Sequence, residues 1–345
     1  MARISIWVAG VAAFSSATVH ASPWTLKRGE LVLTSAFDVQ FADREFLEEG
    51  GERVFPLNGR FFAAGLTLSA RLGITDRIEL EASVPLRFVG YQSDPAILQR
   101  APPGLGDAEA LGFFQESIVD FSQSGAGIAD ITLRGRYQYL NWGRLVSALQ
   151  FSITTPTGYD PPEGTFGLEP TTIEAFLSDE ANLVRPQNVR DDVALGDGVL
   201  ELEPAVLVGV ALGSGTFARA SAAYALRLGG AGDQVRADLR IGQGIGARVL
   251  LYLSGRLAVT VEDGDLIGIS VVARDPNTPA VGFIDGGTRL LPRPLERDAL
   301  DVGGGFVWKT TDAVEMNFSL QRTIWGRFTA ATWVGSLNFV FRTRT

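Results

Sequence analysis

The chain has 345 residues, of which 46% are hydrophobic and 20% charged, and it carries a net charge of −9 with a pI near 4.8. This acidic balance argues against a basic surface that tracks phosphates, so nucleic acid is not expected as a partner. Cysteine is absent, which excludes disulfides, thiolate chemistry and sulfur-ligated metal sites.

The first 21 residues have the pattern of a secretory signal peptide. Arg3 precedes an apolar run over residues 4–14, and Val19-His20-Ala21 matches a small-x-small cleavage site. A membrane anchor is the alternative, but the run is shorter than the roughly 20 residues that an anchor needs. We therefore expect residues 1–21 to be removed and the mature chain to begin near Ser22.

The mature chain contains twelve segments in which apolar and polar residues alternate with a period of two, the pattern of a β-strand. In the fourth, for example, Ile131, Leu133 and Tyr137 alternate with polar residues. The segments cover residues 30–41, 59–72, 77–91, 125–140, 145–157, 199–212, 216–228, 233–245, 247–262, 297–309, 313–325 and 331–342. The fourth and fifth are each long enough to cross a bilayer as tilted strands, which takes about 9 to 11 residues.

The connections favour one class of barrel. Turns after even-numbered strands are short, whereas loops 92–124, 158–197 and 263–296 follow odd-numbered strands. Soluble sandwiches and lipocalin-like barrels also alternate, but they do not explain why long loops occur only after odd-numbered strands. Tryptophans near strand ends suit the aromatic girdles of a membrane barrel, and these are Trp142, Trp308, Trp325 and Trp333.

The sequence therefore predicts an all-β fold. Residues 22–345 are expected to form a transmembrane, antiparallel, up-and-down β-barrel of about twelve strands and of outer-membrane type. The three long loops would be extracellular, and both termini would be periplasmic.

Several motifs resemble a known family. The Gly-x-Gly-x-x-Asp pattern over residues 125–130, the stretch RYQY at 136–139 and the exit Pro156-Thr157-Gly158 are similar to the outer-membrane family named for the meta-pathway of phenol degradation. Residues 196–204 and 319–327 look similar too. The resemblance implies a barrel thought to pass hydrophobic or aromatic compounds across the outer membrane. One departure is the end of the chain, because such barrels usually finish on an aromatic residue and this one continues past Phe341.

Charged residues on the polar strand faces are candidates to line the lumen. Twelve strands enclose more space than eight and less than the 16 to 18 of an open porin. Glu79 and Glu81 on the third predicted strand neighbour Arg134 and Arg136 on the fourth, and a second group of charges lies on the eighth and ninth strands, at Arg236, Asp238, Arg240 and Arg256. Mixed charges could line a narrow aqueous path, or they could pair across strands into a plug. The candidates are Glu79, Glu81, Asp130, Arg134, Arg136, Glu201, Glu203, Arg236, Asp238, Arg240 and Arg256.

Two loops contain possible gates. In loop 92–124, the three- and four-residue spacing of Leu111, Phe114, Ile118 and Phe121 predicts a short amphipathic helix. In loop 158–197, a capping-box pattern precedes Phe176. Our hypothesis is that one of these helices covers the mouth as an apolar gate; the alternative is a loop helix that packs only on its neighbours.

The lone histidine, His20, lies in the predicted signal peptide. A Ser-His hydrolase and a histidine-ligated zinc site are therefore excluded in the mature chain, and we expect no enzyme activity, no cofactor and no metal.

The sequence predicts an outer-membrane channel or transporter that passes small, hydrophobic or aromatic solutes passively through a charged, narrow lumen. A non-conducting structural or surface-interaction barrel with a plugged lumen is the first alternative, and a general porin is the second. Expected partners are outer-membrane lipid and lipopolysaccharide, the barrel assembly machinery and the solute.

Overall fold

A computed structural model describes residues 22–55, 58–94, 96–97, 104–110, 112, 118–119, 122–157, 195–196, 198–213, 215–262, 264, 266–271, 289–294 and 296–344. Within this part of the chain, twelve long strands close into one antiparallel barrel. The strands are β1 Glu30–Ala42, β2 Arg60–Gly73, β3 Ile78–Gln92, β4 in two segments (Gln123–Ile128 and Ile131–Trp142), β5 Leu145–Thr155, β6 Leu200–Gly213, β7 Thr216–Leu228, β8 Gln234–Ile245, β9 Val249–Thr260, β10 Asp298–Lys309, β11 Val314–Arg327 and β12 Trp333–Arg344. The predicted signal peptide lies outside the described residues.

Each strand pairs with its neighbours in the chain, and β1 closes the ring by pairing with β12, for example Leu33 opposite Phe341. A closed ring leaves no strand edge with unpaired backbone groups, which is the condition for crossing a bilayer. The predicted up-and-down barrel of outer-membrane type is confirmed.

The fourth strand differs from the prediction, which made it continuous. Its two segments both pair with β3, but the register shifts by one residue between Ser83↔Thr132 and Leu86↔Ile128. Pro85 lies at this point, and because proline has no backbone N–H it cannot donate to the ladder. The Ala129 N–H instead donates to the Pro85 carbonyl at 2.9 Å, which gives a local bulge in the barrel wall.

The two faces of the barrel have opposite chemistry. Large apolar side chains point outward around the ring, such as Phe37, Leu251 and Leu253, the last 72% exposed. A soluble protein rarely exposes so extensive an apolar surface, whereas a membrane barrel requires it. The exposed tryptophans Trp142 and Trp308 lie near the short turns, as predicted for an aromatic girdle. No helix among the described residues has the length and apolar character needed to cross a membrane.

Tight turns connect the strands at one rim. The β4–β5 turn contains Gly143 with a φ of 59°, a left-handed conformation that glycine adopts without strain. In the β2–β3 turn, the Thr75 hydroxyl accepts hydrogen bonds from the N–H groups of Arg77 and Ile78, at 3.2 and 3.0 Å. The first residue of β1, Glu30, and the last residue of β12, Arg344, both lie at this rim, which we call the turn rim.

Small sheets lie in the loops at the opposite rim, which we call the loop rim. Arg44–Phe46 pairs with both Glu52–Val54 and Thr329–Ala330. The hairpin Leu266–Val271 with Arg289–Pro294 extends the connection between β9 and β10. These pairings satisfy backbone groups that long loops would otherwise expose.

One gate prediction is wrong in its secondary structure. The spacing in loop 92–124 placed Ile118 in a helix, but Ile118–Val119 is a short strand paired with Ala96–Ile97. The described helical residues are 107–110 and 112. β-branched isoleucine and valine suit a pleated strand better than a helix, and the pairing supplies hydrogen bonds that the three- and four-residue spacing did not reveal.

Candidate functional site

Acidic and arginine side chains from β2, β3 and β4 form a buried cluster in the lumen, the first ion cluster: Arg71, Glu79, Glu81, Arg134 and Arg136. Arg136 Nη1 lies 2.7 Å from Glu79 Oε1, and Arg134 Nη1 lies 2.7 Å from Glu81 Oε1. Arg71 Nη1 is 3.6 Å from Glu79. Two carboxylates therefore face three guanidinium groups inside the barrel.

Because the first ion cluster is buried, the stability of the barrel is sensitive to the loss of any one of its charges. The side chains of Glu79 and Arg136 are 1% and 3% exposed, and Arg136 Nη2 also donates to Gln150 Oε1 at 2.8 Å. A buried charge that loses its partner is strongly destabilising, whereas an intact pair contributes little net free energy. The sequence predicted the neighbouring positions of these glutamates and arginines; it missed Arg71, although Arg71 lies opposite Glu81 in register.

A second ion cluster lies on β6, β7 and β8. Arg236 forms a two-pronged contact with Glu201, each nitrogen–oxygen distance being 2.7 Å, and Arg236 Nη1 is 2.8 Å from Glu203. Arg227 Nε approaches Glu201 at 3.8 Å. The Arg236 side chain is 27% exposed, so this second ion cluster borders the open part of the lumen. The sequence analysis grouped Arg236 with charged residues of the eighth and ninth strands, whereas its carboxylate partners lie two strands away on β6.

A third group of lumen side chains lies on β8, β9 and β11. The Arg240 guanidinium stacks over the Tyr252 ring at 4.2 Å from the centroid, and the Tyr252 hydroxyl donates to Asn317 Oδ1 at 2.9 Å. Asp238 faces Arg256 in register, and Arg256 is exposed although it points inward. The lumen therefore has open space at the level of Arg256. The remaining candidate, Asp130, is half-buried beside the bulge in β4.

The turn-rim end of the lumen is occupied by residues 22–26, which we call the N-terminal stopper. These residues form no strand and run inside the barrel, where Ser22 is 1%, Trp24 8% and Leu26 4% exposed. The Leu26 N–H donates to Glu79 Oε2 at 2.9 Å. The Thr25 hydroxyl contacts the Asp76 carbonyl at 3.0 Å and Gln138 Oε1 at 3.2 Å.

The stopper completes an apolar layer across the lumen. The Trp24 indole meets the Phe217 ring edge-to-face, with ring centroids 6.3 Å apart and planes at 84°. Inward-pointing side chains at the turn-rim ends of the strands complete the layer, which consists of Trp24, Leu26, Val32, Val146, Phe217, Leu250, Tyr252, Val307 and Val340. The layer lies beside the first ion cluster at this end of the barrel, because Val32 pairs with Arg71 in register.

Two glycines leave the space that the stopper occupies. A Cβ added at Gly73 would lie 2.1 Å from the Lys27 carbonyl oxygen, and one added at Gly209 would lie 2.5 Å from Trp24 Cη2 and 2.6 Å from Pro23 Cγ. Any larger residue would displace the segment. No periodic signal in the sequence marks this feature, because the stopper is neither helix nor strand; the sole hint was Trp24, the third residue after the predicted cleavage site.

A second apolar cluster lies inside the loop-rim end. Leu195 packs with Ala63, Val89 and Ala129, and Phe61 packs against them. Leu195 belongs to loop 158–197, so at least this part of a long loop enters the mouth. The gate candidates Leu111, Phe114, Phe121 and Phe176 lie outside the described residues, as does the side chain of Ile118.

Comparison with known proteins connects the chain to outer-membrane barrels. No family model and no curated protein sequence matches it. Among solved structures, an outer-membrane channel from Pseudomonas putida F1 superimposes with a TM-score of 0.59 at 14% identity, over 94% of this chain and 100% of that one. The monoaromatic hydrocarbon channel CymD gives a TM-score of 0.42 at 10% identity, over 93% and 90% of the two chains. At these identities the likeness to the Pseudomonas channel establishes a shared fold, a closed barrel of outer-membrane type.

Proposed function

We propose that this protein is an outer-membrane channel that passes small solutes through its lumen. The observation that carries the proposal is that a short segment without strand pairing closes one end of the lumen. The lumen contains water-accessible charges at Arg134, Arg236 and Arg256, and across its turn-rim end lies a short segment without strand pairing, the N-terminal stopper. A channel closed by a detachable segment can open without breaking the barrel wall.

The strength of the closure is consistent with a channel that is mostly shut. Enclosing an indole removes about 200 Å² from water, which corresponds to at most about 5 kcal/mol at 25 cal/mol per Å². Since about 1.4 kcal/mol is a factor of ten, burial of the Trp24 ring alone would favour the closed state by a ratio of about a few thousand to one.

Hydrophobic or aromatic solutes are the class that we propose for passage. The supporting observation is that apolar side chains narrow both ends of the lumen, around Phe61 and Leu195 at the loop rim and around Phe217 and Tyr252 at the turn rim. A strongly hydrated solute would lose its water at each of these layers. The same layers argue against a general porin, which needs a continuous aqueous path.

Planar-bilayer recording tests the channel. The mature barrel, residues 22–345, is compared with a barrel that begins at Lys27 and so lacks the N-terminal stopper. We expect brief, rare openings from the first and a steady conductance from the second, because the wall is unchanged. Folding is checked beforehand by heat-dependent gel migration.

Silence from a folded barrel without the stopper would contradict the proposal and favour the non-conducting barrel. A steady, unselective conductance of the complete mature barrel would favour the general porin. Recovery of the protein in the outer-membrane fraction after cell fractionation is the matching test of location.

A further inference from the structure

The N-terminal stopper places one aromatic ring against a surface built to receive it. The six-membered edge of the Trp24 indole lies over Gly209, where an added Cβ would be 2.5 Å from Cη2 and 2.8 Å from Cζ3. Phe217, which is fully buried, meets the same indole edge-to-face. We call the space bounded by Gly209 and Phe217 the ring slot.

We infer that the ring slot is a binding site for planar aromatic solutes and that Trp24 is its resident occupant. This inference rests on the proposed channel function and adds to it the place in the lumen where an aromatic solute binds. An aromatic solute that enters from the loop rim finds at the slot the same contacts that Trp24 makes. Because one slot cannot hold two rings, solute and indole exclude each other there.

The anchoring of the stopper fits such an exchange. The described hydrogen bonds fix Thr25 and Leu26, and the backbone N–H of Arg28 donates to Asp76 Oδ1 at 3.0 Å outside the slot. Trp24 itself is held by ring contact and burial. A solute that takes the slot therefore competes with packing alone, while the anchor at Arg28 keeps the stopper attached for reclosure. The lumen is then open only while neither ring occupies the slot.

Chemical rescue tests the site. The variant Trp24→Ala empties the slot, and we expect it to conduct steadily. Millimolar indole, the ring that the substitution removes, should then fill the slot and lower the open probability of Trp24→Ala at least tenfold. Cyclohexanemethanol, which has a ring but no planar π-system, should lower it much less, since edge-to-face contact requires an aromatic ring.

Two matched variants control the test. Trp142→Ala removes an indole that is 76% exposed on the outer face, and it should behave as the unmodified barrel does. In the Trp24→Ala background, Gly209→Ala should abolish the indole effect because its Cβ occupies the slot. Gly335→Ala in the same background should retain the effect, since a Cβ at Gly335 meets no atom within 4 Å.

The outcomes separate the two proposals. A conducting Trp24→Ala barrel that ignores indole, or one that indole blocks equally well with Gly209→Ala present, overturns the ring slot and leaves the channel intact. A silent Trp24→Ala barrel beside a conducting barrel that begins at Lys27 also overturns the slot alone. Silence from both folded barrels overturns the channel itself.

Discussion

The Glu79 carboxylate binds both arginines of the barrel wall and the backbone of the N-terminal stopper. It lies 2.7 Å from Arg136 Nη1 and 3.6 Å from Arg71 Nη1, and it accepts the Leu26 N–H at 2.9 Å. The substitution Glu79→Gln keeps an acceptor for Leu26 and removes the negative charge. Three guanidinium groups, of which those of Arg71 and Arg136 are buried, would then share only Glu81 as a compensating carboxylate within the first ion cluster.

The expected cost follows from that imbalance. Removing one partner of a buried ion pair destabilises by about 3 to 5 kcal/mol. We therefore expect Glu79→Gln to lower the free energy of unfolding of the mature barrel by about 3 kcal/mol, toward the low end of that range because Gln retains one hydrogen bond. The assay is urea unfolding of the barrel in phosphatidylcholine vesicles, followed by tryptophan emission.

Two comparisons make the result interpretable. Glu48→Gln changes an exposed carboxylate at the loop rim and should cost less than about 0.5 kcal/mol. The double variant Glu79→Gln with Arg136→Gln should cost clearly less than the sum of the two single variants, because an orphaned charge is no longer left behind. A loss below about 1 kcal/mol for Glu79→Gln, or strict additivity in the double variant, would refute the reasoning.

Two further predictions concern the outer face and the second ion cluster. Leu253→Arg puts a charge on the lipid-facing side of β9, where Leu253 is 72% exposed, and should destabilise the vesicle-inserted barrel by about 2 to 3 kcal/mol. Ile245→Arg, on the outward face at the turn-rim end of β8, should cost under about 1 kcal/mol by the same unfolding assay; equal costs would contradict the membrane placement. Arg236→Ala in the barrel that begins at Lys27 leaves Glu201 and Glu203 facing the lumen with less compensation, and the reversal potential in a salt gradient should shift toward cation selectivity. Arg236→Lys should shift it much less because the charge is kept, and an unchanged reversal potential for Arg236→Ala would show that ions do not pass this cluster.

The barrel itself could be predicted because its signal is local. Outward apolar and inward polar residues alternate along most of each strand, so the period of two identifies strand and face together. The lengths of the connections then predicted which rim carries the tight turns and which carries the long loops. The break in β4 depends on Pro85 in the strand opposite, and a strand-by-strand reading does not register such a cross-strand effect.

The lumen was predictable only between adjacent strands. Glu79 with Arg136 and Glu81 with Arg134 follow from the register of β3 and β4. Arg236 instead reaches across β7 to Glu201 and Glu203, because curvature brings inward side chains of non-adjacent strands together. The N-terminal stopper depends on the space that the finished barrel leaves, which Gly73 and Gly209 keep free of side chains, and no periodic pattern encodes it.

In the proposed channel, the N-terminal stopper opens and closes the lumen. The chain has no cysteine of its own, so the pair Thr25→Cys and Gln138→Cys can be joined without competing thiols by a short bis-methanethiosulfonate crosslinker, whose disulfide bonds a reductant cleaves; the Thr25 hydroxyl lies 3.2 Å from Gln138 Oε1. The decisive measurement is the conductance of single barrels carrying this pair, recorded crosslinked and again after a reductant is added to the same bilayer. We expect silence while the stopper is bonded and openings after reduction, with either single cysteine variant indifferent to the reductant. Equal conductance in the bonded and reduced states would contradict the account, because solutes would then be passing a stopper that cannot move.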